Sequence, residues 1–415
     1  MKKNSLPLDK VKVIVDTLKK NGINHVTLTT REPLCYPDIV DFLKYCRFNQ
    51  IYVSITTNGT MFTDEVYDEI YKGNVDRVLI SLEGLSEDTN DYIRGKGTYA
   101  KVIRALEEIE ERNKNGTNVI RPIIQINLSS RNSEEMCDGL ISFLDRFKYV
   151  EVVIGNLIGY GRAKNEDSLL LGFENYKKTV FQIAEKISTT KHNKSVGFKE
   201  LMPYEITLLN LVLDMDMSFS IPQCSLFKNT GFGLMPDGRL CRCNILLDTD
   251  IIDNEDLLLD YDVDKATKQG VSLLDPKYKI EKRGFCSECK WKDICNVCML
   301  YTKDNYIDEG LVSLCENASR AIERIKTKIT NDDITFHFKK DVLLTYDNEE
   351  IRISDALGNV LVFEKTGELM EKLDQLLWPA KVLYSEMKMD EKLLDGLLYS
   401  NLLKIDEVNK FETMK

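Results

Sequence analysis

No run of apolar residues in this sequence approaches the roughly 18 needed to span a bilayer, which speaks against a membrane-spanning helix. A secretory signal is missing too: Lys2 and Lys3 are not followed by an apolar stretch. There is no long low-complexity tract and no internal repeat. Positive charge is in deficit, with 56 Lys and Arg against 67 Asp and Glu and a net charge of −11. That balance argues against non-specific nucleic-acid binding and leaves room for a basic peptide or a small cation. The compartment these absences imply is the reducing cytoplasm, where cysteine pairs serve metals or redox chemistry rather than structural disulfides.

What is present is an ordinary globular composition, 43% apolar and 30% charged over 415 residues, long enough for two or three domains. The cysteines are not ordinary. There are 11 in the chain, and Cys224, Cys241, Cys243, Cys286, Cys289, Cys295, Cys298 and Cys315 fall within its 224–315 stretch. Cys286 and Cys289 form a C-x-x-C pair, Cys295 follows after five residues and Cys298 after two more. A tight turn brings both sulfurs of a C-x-x-C to one side, so thiolates at these spacings converge on one metal centre. Buried cysteines that pack as small hydrophobes rarely repeat paired spacings in this way.

Residues 8–155 alternate helix and strand. Val11, Ile14, Val15 and Leu18 lie at helical spacing, with Asn21-Gly22 as a stop. Helical stripes recur through Ile39, Phe42, Leu43 and Cys46, through residues 64–71, through Val102, Ala105, Leu106 and Ile109, and through Leu140, Phe143 and Leu144. Strands are expected at 25–29, 51–57, 77–82, 119–128 and 150–154. This alternation implies a parallel sheet with helices outside, in which chemistry sits at the carboxyl ends of the strands. Residues 173–213 read as helical. Asp237-Gly238 is a hairpin signal. A helix is expected at 318–329, then short antiparallel strands at 334–338, 342–346 and 351–353, then helices at 369–377 and 392–398.

The post-strand turns and the cysteine spacing together resemble the radical S-adenosylmethionine (radical SAM) enzymes of the SPASM group, which mature peptides and proteins. Thr27-Leu-Thr-Thr-Arg-Glu-Pro33 stands where that family has a Gly-Gly-Glu-Pro turn. Thr57-Asn58-Gly59-Thr60, Ser81-Leu-Glu-Gly84, Ile93-Arg94-Gly95 and Gly161-Arg162-Ala163 match further family turns, in family order. Cys224-x13-Gly238-x4-Cys243 and Cys286-x2-Cys289-x5-Cys295, closed by Cys315, match the SPASM pattern.

The resemblance implies an α/β fold: a partial (β/α) barrel over residues 1–215 lacking its first strand, a SPASM iron–sulfur domain over 216–330, and a small winged-helix-like α+β domain over 331–415. It implies that Glu32 binds the methionine amino group of S-adenosylmethionine. Ser81 and Arg94 would meet its carboxylate or ribose, with Glu83 in place of an Asp. Alternatives stand beside these roles: Ser81 as a cap, Arg94 paired with Asp91 or Glu87, Arg162 as a surface charge. One [4Fe–4S] cluster is implied on Cys286, Cys289, Cys295 and Cys315, and a second on Cys224, Cys243 and Cys298. The spacing before Cys298 is one residue shorter than in the family, and Cys241 is an alternative fourth ligand.

The radical chemistry of the family needs a further cluster on a C-x3-C-x2-C loop, and these 415 residues contain none. Cys35, Cys46 and Cys137 lie far apart in sequence. Thr30 and Arg31 replace two glycines, which counts against binding of S-adenosylmethionine. The expectation is therefore a degenerate member of a ribosomal-peptide maturation system. It binds an iron–sulfur cluster and a precursor peptide or partner maturase, with no nucleic acid or membrane partner. The alternatives are an active peptide-modifying enzyme whose cluster-bearing segment lies upstream of this chain, and a zinc-binding module.

Overall fold

The computed structural model describes residues 6–213 except 30, 160–162 and 164; residues 215, 233–234 and 240–241; and residues 280–405 except 293–294, 296, 298–300, 304–305, 332–333, 341, 355–359, 378–379, 388 and 401. Helix α1 (Leu8–Lys20) leads into strand β1 (His25–Leu28). The pattern repeats through α2 (Ile39–Phe48), β2 (Tyr52–Thr57), α3 (Asp64–Ile70) and β3 (Val75–Ser81). It continues through α4 (Glu87–Arg94), α5 (Thr98–Asn115), β4 (Ile123–Leu128), α6 (Ser133–Arg146), β5 (Glu151–Asn156), α7 (Gly172–Ser188) and β6 (Val196–Phe198). The six strands form one parallel sheet in sequence order. Val53, Ile55, Val78, Ile80, Ile124, Ile126, Val152 and Ile154 are each at most 1% exposed. Burying such side chains stabilises by about 1.5–3 kcal/mol apiece, and their alternation in β4 leaves Gln125 and Asn127 on the other, less buried face.

The α/β reading therefore holds, with one correction. The helical reading of residues 173–213 missed β6, a three-residue strand that pairs Val196, Gly197 and Phe198 with β5. Three residues are too few for alternation to be visible.

Helix α8 (Pro203–Leu213) follows, and every one of its residues is buried. It packs against α7 and against three later elements, Glu309–Thr330, Glu391–Tyr399 and Leu403–Ile405. Strands β7 (Gly233–Leu234) and β8 (Leu240–Cys241) pair antiparallel, bracketing the Asp237-Gly238 hairpin signal, which itself lies outside the described residues. Then come α9 (Phe285–Glu288), β9 (Thr302–Lys303), β10 (Tyr306–Ile307) and the long α10 (Glu309–Thr330). That helix begins well before the expected residue 318, with Asp308 capping it by accepting from the Gly310 and Leu311 N–H groups. Cys315 is thus a helical residue.

The C-terminal part contains β11 (Phe336–Phe338), β12 (Leu343–Tyr346), β13 (Glu350–Ser354), β14 (Val360–Glu364), α11 (Gly367–Gln375), α12 (Tyr384–Met387), α13 (Glu391–Tyr399) and β15 (Leu403–Ile405). Strands β12, β13 and β14 form an antiparallel meander. Strand β11 does not join it, pairing instead with β15. Neither β14 nor β15 was expected. Among the described residues no helix is long and apolar enough to cross a membrane.

Candidate functional site

The carboxyl ends of β1, β2 and β3 carry the expected turns. Arg31 adopts φ of 54°, the left-handed conformation that favours glycine. Arg31 thus keeps a glycine-type backbone, so its conformation does not count against S-adenosylmethionine; Thr30 lies outside the described residues. The next residue, Glu32, is braced by three donors: the Leu34 N–H at 3.0 Å, the Thr57 hydroxyl at 2.6 Å and the Asn58 N–H at 2.7 Å. A carboxylate offers about four acceptor positions, so room remains for a further donor such as an ammonium. Gly59, at φ 75°, comes so close to β3 that an added Cβ would stand 2.8 Å from Ile80.

Glu83 is 4% exposed and points inward. Arg94 Nη2 donates to it at 2.5 Å, the Asn127 N–H at 2.8 Å and Asn127 Nδ2 at 3.2 Å. Arg94 therefore pairs with Glu83 rather than with Asp91 or Glu87. Asp91 instead holds the start of α5 through the N–H of Tyr99 at 2.8 Å and the hydroxyl of Thr98 at 3.0 Å. Asn58, Ser81 and Arg94 line one cleft of roughly 370 Å³ open to solvent, with Asn90, Thr98 and Val102. Glu32 borders this cleft through its bond to Asn58; Glu83 supports its floor through Arg94. Gly161 and Arg162 lie outside the described residues.

The sequence reading missed the polar groups at the ends of β5 and β6. Glu200 has φ of 55° and accepts from the Asn156 N–H at 3.1 Å. Burial pushes its carboxyl above the ordinary value, and pulls the Lys199 ammonium below its own. Lys177 and Glu205 form a 2.7 Å ion pair, both almost fully buried. A non-glycine residue held at positive φ is a signal no residue pattern displays.

The second site is built from thiols. Cys286 lies in α9, Cys289 caps its end and Cys315 comes from α10. The Cys295 N–H donates to the Trp291 carbonyl at 2.8 Å, which closes the connecting turn. All four are free and line one cavity with Met202, Tyr204, Phe285, Trp291 and Leu311. The cavity holds roughly 420 Å³ of space and opens to solvent. The Trp291 N–H reaches Cys289 Sγ at 3.4 Å. Burial pushes the Cys295 thiol up to about 11, with the Lys282 ammonium opposing it, and pushes Cys315 higher still.

Four thiols around one cavity suit a metal centre. Among the described residues no three His, Cys, Asp or Glu are gathered closely enough for a single ion. A zinc site draws its sulfurs to about 2.3 Å from one atom, whereas a cluster takes them on separate irons. Of the other candidates, Cys224, Cys243 and Cys298 lie outside the described residues, and for Cys241 only the backbone in β8 is described. Cys46 is fully buried, its thiol pushed up to about 12 by burial, as expected of an inert core cysteine. Cys35 is exposed and Cys137 half-buried.

Residues 1–132 match the Radical SAM superfamily. The match covers about a third of the chain and shows that this segment is similar to that superfamily. Over 96 residues the chain is 31% identical to the mycofactocin maturase MftC of Mycobacterium ulcerans, covering 23% of this chain and 26% of that protein. Over 137 residues it is 34% identical to the GTP 3',8-cyclase of Clostridium perfringens, covering 32% and 40%. The matched stretch thus spans well under half of either relative. Streptococcus suis SuiB, solved bound to S-adenosylmethionine, shares the fold with a TM-score of 0.54 at 17% identity over 74% of this chain and 71% of that one. SuiB has also been solved bound to its precursor peptide SuiA. The structure of anSMEcpe with bound AdoMet gives a TM-score of 0.53 at 15% identity, covering 78% and 89%.

Proposed function

We propose that this protein is a cluster-bearing component of ribosomal-peptide maturation, of the SPASM type, that binds a precursor peptide or a partner maturase. The observation that carries the reading is the convergence of Cys286, Cys289, Cys295 and Cys315 on one cavity. Those residues would hold one auxiliary [4Fe–4S] cluster, which supplies electron transfer or a binding scaffold when present. Cys224, Cys243 and Cys298, with Cys241 as an alternative, would serve a second. The peptide site would be the β12–β14 meander with its following helices, where an extended peptide adds a strand to a sheet edge. Support comes from the similarity to MftC, a mycofactocin maturase, and from the fold shared with SuiB, solved bound to its precursor peptide SuiA.

In this reading the 415 residues bind but do not initiate radical chemistry, because they contain no C-x3-C-x2-C. The test is 5′-deoxyadenosine formation by anaerobically reconstituted protein given dithionite and S-adenosylmethionine. No product from protein that carries iron and sulfide is the expected outcome; steady turnover would sink the binding-only account.

One observation favours a second reading, an active peptide-modifying enzyme completed by an upstream segment. The Arg31 turn keeps its left-handed backbone and Glu32 is braced beside the cleft of Asn58, Ser81 and Arg94. Binding of S-adenosylmethionine to the cleft, measured by calorimetry and lost in Arg94→Ala and Ser81→Ala, would support retention of that site.

A further inference from the structure

The lining of the thiol cavity includes two lysines, Lys282 and Lys292. The segment that carries Lys282 is clasped from one side by Tyr306 of β10. Glu281 bridges to Tyr306 through the backbone and accepts from its hydroxyl at 3.0 Å. The Arg283 guanidinium lies 3.4 Å from the centre of the Tyr306 ring and pairs with the Glu281 carboxylate at 3.4 Å. Glu281 and Arg283 thus both lie against Tyr306, and in strand-like backbone the residue between them faces the other way. Lys282 does so: its ammonium donates to the Cys295 carbonyl at 3.0 Å and the residue lines the cavity. That partner is a neutral carbonyl, so the bond holds the ammonium in place without cancelling its charge. Lys292, by contrast, is exposed.

We propose that Lys282 is a positioning residue for the bound cluster: its ammonium, anchored on the Cys295 carbonyl, fixes a positive charge beside the cluster and raises the reduction potential. The inference rests on the reading of the four thiols as a cluster site. Reduction adds a negative charge to a cluster, and a fixed cation nearby favours the more negative form. The apolar and aromatic walls of the cavity keep that attraction stronger than it is in water, whereas solvent and salt screen an exposed charge such as Lys292.

The test is a redox titration of the reconstituted full chain, followed by electron paramagnetic resonance, in four forms. Lys282→Met keeps most of the apolar stem and loses the charge. Its potential should fall by about 59 mV for one electron, a tenfold change in the reduction equilibrium. Lys282→Arg keeps the charge and should stay close to the wild type. Lys292→Met removes the same charge from the exposed part of the lining and should shift the potential the same way by less. Equal potentials in the wild type and Lys282→Met, at unchanged iron and sulfide content, overturn the inference and leave the cluster reading standing. Equal falls in Lys282→Met and Lys292→Met overturn it too, because they would show an effect of net charge alone. Should Lys282→Met lose its cluster, Lys282→Arg decides: a cluster retained at the wild-type potential upholds the role of the charge, and a lost one overturns it. Wild-type protein that takes up no iron and sulfide overturns both the inference and the cluster reading.

Discussion

The barrel mouth and the thiol cavity are held together by opposite means. At the mouth, the carboxylates of Glu32, Glu83 and Glu205 are bonded to other protein groups. Glu32 ties two turns, Glu83 takes Arg94 and Asn127, and Lys177 takes Glu205. Such a site is preorganised before any ligand arrives. In the cavity, four thiols stand around a space walled by apolar and aromatic side chains from α8, α9 and α10. Thiols are weak hydrogen-bonding groups and gain little from one another. The first region is braced by bonds within the protein; the second, in the function proposed above, would be completed by a cluster.

The sharpest way to break this contrast is Cys289→Ser. If the cavity depends on its ligand, the variant loses most of its bound iron and several kcal/mol of apparent stability, because metal binding is coupled to folding. Metal analysis and thermal melts with and without chelator would show it. A variant that keeps both its metal and its melting temperature would make Cys289 a bystander.

Next in size is the buried pair beneath the mouth. Lys177→Met strands Glu205, which is 2% exposed, and should cost about 3–5 kcal/mol in urea unfolding. The double variant Lys177→Met with Glu205→Leu should recover most of that loss. A single variant as stable as wild type would show that the pair is not an internal brace.

Glu200 gives a pH signature. Its folded pKa is raised by burial above the ordinary 4.5. Its protonated form therefore stabilises the fold fully below about pH 4.5, and that contribution is lost as pH rises through the folded value. Relative to Glu200→Gln, the wild type should lose stability as pH rises above 4.5. Parallel stability curves for the two proteins would remove Glu200 from the account.

The smallest effect concerns Arg31. Gly at φ 54° relieves a left-handed arginine, and the looser unfolded chain takes part of the gain back. Arg31→Gly should stabilise by about 0.5–1 kcal/mol in the same urea assay. A destabilised variant would mean that the guanidinium holds the turn.

The two regions also differ in how far they can be read from residues. The turns at the mouth are legible because each rests on short-range chemistry: Asn58 accepting from Thr60 at 2.9 Å, and Gly59 in close contact with Ile80. The four thiols are legible because a C-x-x-C and its sequels are local. What escapes is contact set by tertiary packing. Helix α8 is buried all round, so it shows no polar face and nothing marks Tyr204 as a wall of the cavity or Glu205 as the partner of Lys177. The partners of Glu83 lie 11 and 44 residues away. Strand β15 is too short to show a period, and it pairs with β11 across most of the C-terminal part.

The central claim is that the cavity of Cys286, Cys289, Cys295 and Cys315 is an iron–sulfur site. The measurement that tests it most directly is iron and acid-labile sulfide per chain after anaerobic reconstitution, in the wild type and in Cys289→Ser. The account predicts about four of each, or a multiple, in brown wild-type protein, with a clear loss in the variant. Colourless protein that binds zinc and holds no sulfide would contradict it.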